Sequence, residues 1–210
     1  WGYIDKNGKV VIEPQFNYVS DFSEGLALVK IGFIWGYIDK NGKVVIEPQF
    51  NTVRDFSEGV ACVEKDYKWG YIDKNGKMVI EPQFDWVRDF SEGFACVEKD
   101  GKLGFIDKSG KMVIEPQFDD AGDFSVGLEK VEKGGKWGFI DKSGKVVIEP
   151  QFDEVGGFSE GFACVEKDDK WGFIDKNGKV VVEPQYDYVG DFSEGLALAE
   201  KDGKYGFIDK

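Results

Sequence analysis

The 210-residue chain contains no histidine. That absence removes an imidazole base for a serine or cysteine nucleophile, and with it most zinc sites. The three cysteines, Cys62, Cys96 and Cys164, all occupy one position of a sequence period, where Leu28 and Leu198 stand in other copies. A residue that exchanges with leucine behaves as a small buried apolar group, so these thiols read as core. Their odd number and this exchange argue against a disulfide framework. Carboxylates form two regular rows: Asp5, Asp39, Asp73, Asp107, Asp141 and Asp175, and Glu13, Glu47, Glu81, Glu115, Glu149 and Glu183. Asp5-Lys6-Asn7-Gly8 has the start of a calcium loop, but the remaining ligands do not follow at the right spacing. Ser109 and Ser143 also replace the Asn, and the Lys places a positive charge beside any cation. A hairpin turn on a solvated edge accounts for the row better than a weak calcium site. Glycoside hydrolysis needs one distinctive carboxyl pair rather than six equivalent ones. No catalytic residue, metal or cofactor is therefore assigned, and the chain is expected not to be an enzyme.

Residues that differ between copies are more informative, because the shared ones mostly serve packing. One position runs Tyr18, Thr52, Trp86, Asp120, Glu154, Tyr188; two residues further on stand Ser20, Arg54, Arg88, Gly122, Gly156, Gly190. Trp86 with Arg54 and Arg88 would make a cluster of the types that dominate binding hot spots, and Tyr18 and Tyr188 are further aromatic candidates. Ordinary surface drift is the competing account. The fourth copy departs furthest. Leu103 replaces Trp, Val126 replaces Glu, and Glu129-Lys130 enters an otherwise apolar strand. Such a charge pair destabilises unless it reaches solvent or a partner. It marks either a decayed repeat or a docking site.

The elements that position these residues follow from the period. Trp-Gly at 1, 35, 69, 137 and 171, with Leu103-Gly104 and Tyr205-Gly206 in the remaining slots, gives a step of 34. The chain is read as one repeat domain of six copies (1–34, 35–68, 69–102, 103–136, 137–170, 171–204) and a terminal strand, 205–210. A helical repeat of this period is excluded by the Gly beside each Trp, the Asn-Gly or Ser-Gly turn and the Pro after a β-branched run. Asn7-Gly8 between two apolar runs signals a hairpin, with both turn residues accepting positive φ. The unit is thus a three-stranded antiparallel meander: Gly-Leu-Ala-Leu-Val, Trp-Gly-Tyr-Ile-Asp, Lys-Val-Val-Ile-Glu. Pro14 and its equivalents should end the third strand. A crossover of about ten residues follows, pinned by Phe16, Val19 and Phe22, with room for a short fourth strand. Ile31-Gly-Phe-Ile34 is a local oddity where other copies carry a Lys-Asp-Gly-Lys type of turn.

Alternation leaves both faces of the meander apolar, one bulky and one small, so each copy needs a neighbour on either side. Radial stacking of six such sheets is a six-bladed β-propeller. An open superhelical β-array is the alternative, because 34 residues is short for a blade and the last strand duplicates the first. Compact packing of this length predicts a radius of gyration of about 17 Å, and a scattering value far above that excludes the ring.

The net charge of −13 makes nucleic acid and anionic membrane poor partners. No apolar run approaches the roughly 18 residues that span a bilayer, and no signal peptide is read. The chain opens on Trp1 rather than Met, as a fragment or processed form would.

The unit Trp-Gly-(Tyr/Phe)-Ile-Asp-Lys-(Asn/Ser)-Gly-Lys-Val-Val-Ile-Glu-Pro-Gln-Phe, followed by Asp-Phe-Ser-Glu-Gly-Leu-Ala, resembles the bacterial WG repeat, also called KWG, over the whole chain. The resemblance implies a binding or structural module rather than a chemistry, and no functional residue is carried over from it. The expected function is a non-enzymatic scaffold for protein–protein contact through the crossovers. A lectin-like multivalent glycan binder and a structural spacer or filament segment, self-associating through its terminal strands, are the alternatives.

Overall fold

The computed structural model describes residues 1–122 and 127–209. Every secondary element among them is a β-strand. The chain forms two compact units, Trp1–Pro116 and Gln117–Lys210. In the first, strands β1 (Tyr3–Ile4) and β2 (Val10–Ile12) pair as a short ribbon. A complete sheet follows, β3 (Tyr18–Val19), β4 (Leu26–Ile31), β5 (Ile34–Asp39) and β6 (Val44–Phe50), hydrogen-bonded in that order. The pattern recurs from Thr52 and from Trp86, and again from Asp120 and Glu154. The last sheet has three strands, beginning at Tyr188 and ending at Asp209. All pairings are antiparallel between sequence neighbours. The meander thus gains the short fourth strand that the crossover had room for, and that strand leads each sheet.

Both faces of the sheet are buried, as the alternation requires. Leu26, Leu28 and Tyr37 leave the bulky face and pack on Ala61, Val63 and Ile72 of the next sheet, with Phe50, Val53 and Phe56 of the intervening crossover closing the cluster. Ala27, Val29 and Ile38 form the small face and receive Ile12 and Tyr3 from the preceding ribbon and Phe16 from the crossover after it. The second unit repeats this with Phe139, Phe152 and Val155 against Ala163, Val165 and Ile174. Each such ring or branched side chain contributes roughly 1.5–3 kcal/mol on full burial.

Two turn assignments change. At Asp39-Lys-Asn-Gly42 only Gly42 has positive φ, at 80°, and Asn41 does not. Gly42 N–H donates to the Asp39 carbonyl at 3.0 Å, and Asp39 N–H to the Lys43 carbonyl at 2.9 Å. This is a type I turn closed by a glycine bulge rather than a two-residue primed turn. Serine can stand in for Asn because that residue keeps ordinary φ. The two-residue primed turn lies instead at the other hairpin, where Asp66 and Tyr67 have φ of 54° and 62°.

The third strand also does not end at its proline in the complete sheets. β6 runs through Pro48 to Phe50. Proline cannot donate to the ladder, so the strand bulges around it: Tyr37 pairs with Ile46, and Trp35 resumes pairing at Phe50. The bulge presses the strand backbone onto Gly36. A Cβ there would sit 2.7 Å from Pro48 N and closer still to the Ile46 carbonyl oxygen. Gly2, Gly70, Gly104, Gly138 and Gly172 meet the same obstruction, while a Cβ on Gly206 would meet nothing within 4 Å. The Trp-Gly signature is the imprint of this bulge.

Candidate functional site

The first unit brings three of the candidate residues together. The crossover strand Thr52–Val53 delivers Arg54, and Trp86–Val87 delivers Trp86 and then Arg88. The Arg54 guanidinium carbon lies 5.2 Å from the Trp69 ring centroid and 5.6 Å from that of Trp86. Arg88 lies 5.4 Å from the same Trp86 ring. Trp69, Arg54, Trp86 and Arg88 thus make a cation–π ladder of half-buried side chains. These are the two arginines of the chain. Arg54 Nη1 also faces Asp89 Oδ1 at 4.0 Å, beyond hydrogen-bond range.

The backbone beneath each arginine is fixed from two sides. Arg54 N–H donates to the Cys62 carbonyl at 3.0 Å, and Arg88 N–H to the Cys96 carbonyl at 2.8 Å. Their own carbonyls accept the Tyr37 and Tyr71 hydroxyls at 2.8 and 2.7 Å. Burial holds both phenols well above their ordinary pKa, so they remain donors. Tyr3 makes the same bond to the Ser20 carbonyl. Tyr37, Tyr71 and Trp69 were absent from the candidates drawn from sequence. One signal for them was present: tyrosine stands at 3, 37 and 71, ahead of Ser20, Arg54 and Arg88, and phenylalanine at 105, 139 and 173, ahead of Gly122, Gly156 and Gly190.

Tyr18, at the first crossover, sits edge-on to Trp35 with ring centroids 5.4 Å apart and remains exposed. The other candidates belong to the second unit. Tyr188 is exposed on the last crossover strand. The Lys130 ammonium lies 5.1 Å over the Trp137 ring. Glu129 is 2% exposed, at the place where other copies carry Ala27, Ala61, Ala95 and Ala163. Its room comes from Gly122, where an added Cβ would meet Glu129 Oε1 at 2.5 Å. The charge pair is therefore split, with the lysine laid on a ring and the carboxylate turned inward. Val126, the other departure of this copy, lies outside the described residues.

The cysteines are buried, and none forms a disulfide. Cys62 S–H donates to Asp89 Oδ1 at 3.1 Å, and burial first, then Asp89, pushes its pKa up. Cys164 is pushed up to about 11 by burial and by Asp191. These thiols are far from the thiolate state a nucleophile needs.

The aspartate row has a local role. Asp39 Oδ1 accepts the N–H groups of Asn41 and Lys43 at 2.8 and 3.0 Å, and Asp73, Asp107, Asp141 and Asp175 repeat this. The carboxylate organises its own turn, as the hairpin account holds. Glu24 instead links repeats: it accepts the Gly59 N–H and pairs with Lys74, which holds its carboxyl below the ordinary value.

Antiparallel sheets recurring every 34 residues, with neighbouring sheets packed face to face within each unit, define an all-β tandem-repeat protein. The WG containing repeat matches residues 1–32, 35–69, 69–102, 104–137, 137–171 and 171–205, and the chain belongs to that family. No curated protein is a significant match in sequence. Among solved structures it is similar to Hsv2p of Kluyveromyces lactis, at 12% identity and TM-score 0.49, covering 92% of this chain and 75% of that one. It is also similar to the dihydro-heme d1 dehydrogenase NirN, at 15% identity and TM-score 0.48, covering 97% and 57%. Likenesses of this order carry no function across.

Proposed function

We propose that the chain is a non-enzymatic scaffold that binds a protein partner through the crossovers of its first unit, with the Trp69–Arg54–Trp86–Arg88 ladder as the anchor. Stacking of Arg54 between two indoles is the observation that supports this reading. A stacked guanidinium has already lost much of its side-chain freedom, so engaging a partner costs it less entropy. Tryptophan and arginine at the centre of a half-buried cluster are the types that dominate protein interfaces. The same geometry weighs against a glycan, because a sugar ring would stack on an indole face and the two guanidinium groups already lie over Trp86. The net charge of −13 weighs against nucleic acid.

The test is affinity capture on immobilised wild-type chain, on Trp86→Ala and on Arg54→Lys, together with a glycan array. A protein retained by wild type and lost from both variants, each with an unchanged thermal transition, supports the scaffold. Glycan binding that disappears in Trp86→Ala or Tyr188→Ala overturns it in favour of a lectin.

A further inference from the structure

Crossover glutamates clasp neighbouring repeats at one kind of seat. Glu24 Oε2 accepts the Gly59 N–H at 3.0 Å and meets the Lys74 ammonium at 3.1 Å. Glu58 Oε2 does the same with Gly93 at 3.1 Å and Lys108 at 3.1 Å. In the second unit the Glu160 carboxylate accepts the Glu194 and Gly195 N–H groups at 2.7 and 3.0 Å. The glycine stands 35 residues after its glutamate and the lysine 50 residues after it.

At one seat the sequence has removed the acceptor and kept the donors. Gly161 and Lys176 stand at those spacings from Val126, which lies outside the described residues and has no carboxylate to offer. Among the described residues nothing takes the place of a glutamate, because neither the Gly161 N–H nor the Lys176 ammonium has a hydrogen bond or ion pair there. The donors are nevertheless held as in the filled seats. Phe162 pairs with Asp175 as Val60 pairs with Asp73 and Phe94 with Asp107. The next step of that register sets Gly161 beside Lys176, as it sets Gly59 beside Lys74 and Gly93 beside Lys108. Gly161 has φ of 93°, against 87° and 86° at Gly59 and Gly93. Asp175 Oδ1 accepts the Asn177 and Lys179 N–H groups at 2.9 Å, so the turn that carries Lys176 is built like the one that carries Lys74. Gly161 is half-buried and Lys176 is exposed.

We propose that Gly161 and Lys176 form a carboxylate seat that takes a glutamate or aspartate side chain of a protein partner. The chain itself displays what fits, since a glutamate side chain fills the equivalent seats. Lys74, and after it the Gly59 N–H, hold the Glu24 carboxyl below its ordinary value, so such a seat favours the ionised acid. An ammonium and a backbone N–H that converge on one oxygen give charge-assisted hydrogen bonds, and the N–H supplies the direction that a lysine point charge lacks. The seat lies in the second unit and shares no residue with the arginine ladder, so it stands or falls separately from that anchor.

Amide NMR of the full chain, titrated with sodium propionate against sodium chloride at equal ionic strength, tests this; propionate is the end of a glutamate side chain. The Gly161 signal should shift progressively with propionate beyond its response to chloride, while Gly59 and Gly93, whose seats are filled, should not. Lys176→Gln should shrink the shift, and Val126→Glu, which restores the residue of the other copies, should abolish it. A glutamate capped by acetyl and amide groups should act as propionate does, and the capped glutamine should leave Gly161 unmoved. A Gly161 shift no larger than those of Gly59 and Gly93 overturns the proposal, as does one that both variants retain or that the capped glutamine reproduces. A response to inorganic phosphate without one to propionate overturns the choice of a carboxylate.

Discussion

The first three crossovers and the last three share a scaffold and differ in what they present. In the first three a tyrosine hydroxyl reaches across to the crossover carbonyl, and the residue so held is Ser20, Arg54 or Arg88. In the last three the ring is Phe105, Phe139 or Phe173, no hydroxyl exists, and the residue is glycine. The glycines have their own use. Gly122 leaves room for Glu129, and Gly156 lies against Cys164 Sγ. One set anchors a side chain that points outward, and the other opens space for one that points inward. Small paired exchanges, Tyr with Arg and Phe with Gly, thus change the surface without touching the packing that defines the repeat.

The largest effect separates scaffold from surface. Gly36→Ala and Gly138→Ala should each cost about 3 kcal/mol in chemical denaturation, because the new methyl meets bulged backbone in either set. Gly206→Ala should change stability by no more than about 0.5 kcal/mol, since nothing lies near its Cβ. Next, Gly122→Arg, which grafts the first set's residue onto the second, should cost roughly 1–3 kcal/mol because Glu129 occupies the space. If that variant is neutral, the inward-facing account of the glycines fails.

Tyr71→Phe should lower stability by about 1 kcal/mol through loss of the bond to the Arg88 carbonyl. It should also weaken partner capture, whereas the same exchange is already natural at Phe139 and Phe173. Unchanged capture would show that the tyrosines hold the backbone without serving the ladder. Tyr67→Gly is expected to raise the thermal midpoint by the equivalent of about 0.5–1 kcal/mol, because Tyr67 is exposed at a φ of 62° that glycine adopts freely.

The smallest effect is on pH. Asp39, Asp73 and Asp175 are held below their ordinary value first by the backbone N–H of the lysine four residues on, and Asp107 and Asp141 first by a serine hydroxyl. Folding lowers these pKa values, so the unfolded chain binds more protons in acid. Their contribution is complete above about pH 5 and is lost as pH falls through the lowered values. Thermal midpoints measured downward from pH 5 should therefore fall, with similar slopes for turns of either set. Asp39→Asn should flatten the slope.

Much of this was legible in the chain. The period, the antiparallel hairpins, the two apolar faces and the buried cysteines follow from alternation and exchange, which are local properties. The cluster of Arg54, Trp86 and Arg88 could also be picked out, since residues that vary within an otherwise constant frame are visible by comparing copies. Two turn details were misplaced because sequence names the residues of a turn but not their φ. Asn41 and Tyr67 show this: the expected left-handed residue is right-handed, and an unremarked tyrosine is left-handed.

By itself the sequence determined what one repeat is, because composition and alternation within 34 residues settle which groups must leave water. Only the tertiary structure decided why Trp must be followed by Gly, since the obstructing atoms belong to the bulged strand ten residues on. It also decided that Trp69 completes the arginine ladder and that Glu129 turns inward toward Gly122. Those outcomes depend on distances between side chains that are remote in sequence, and no local pattern encodes them.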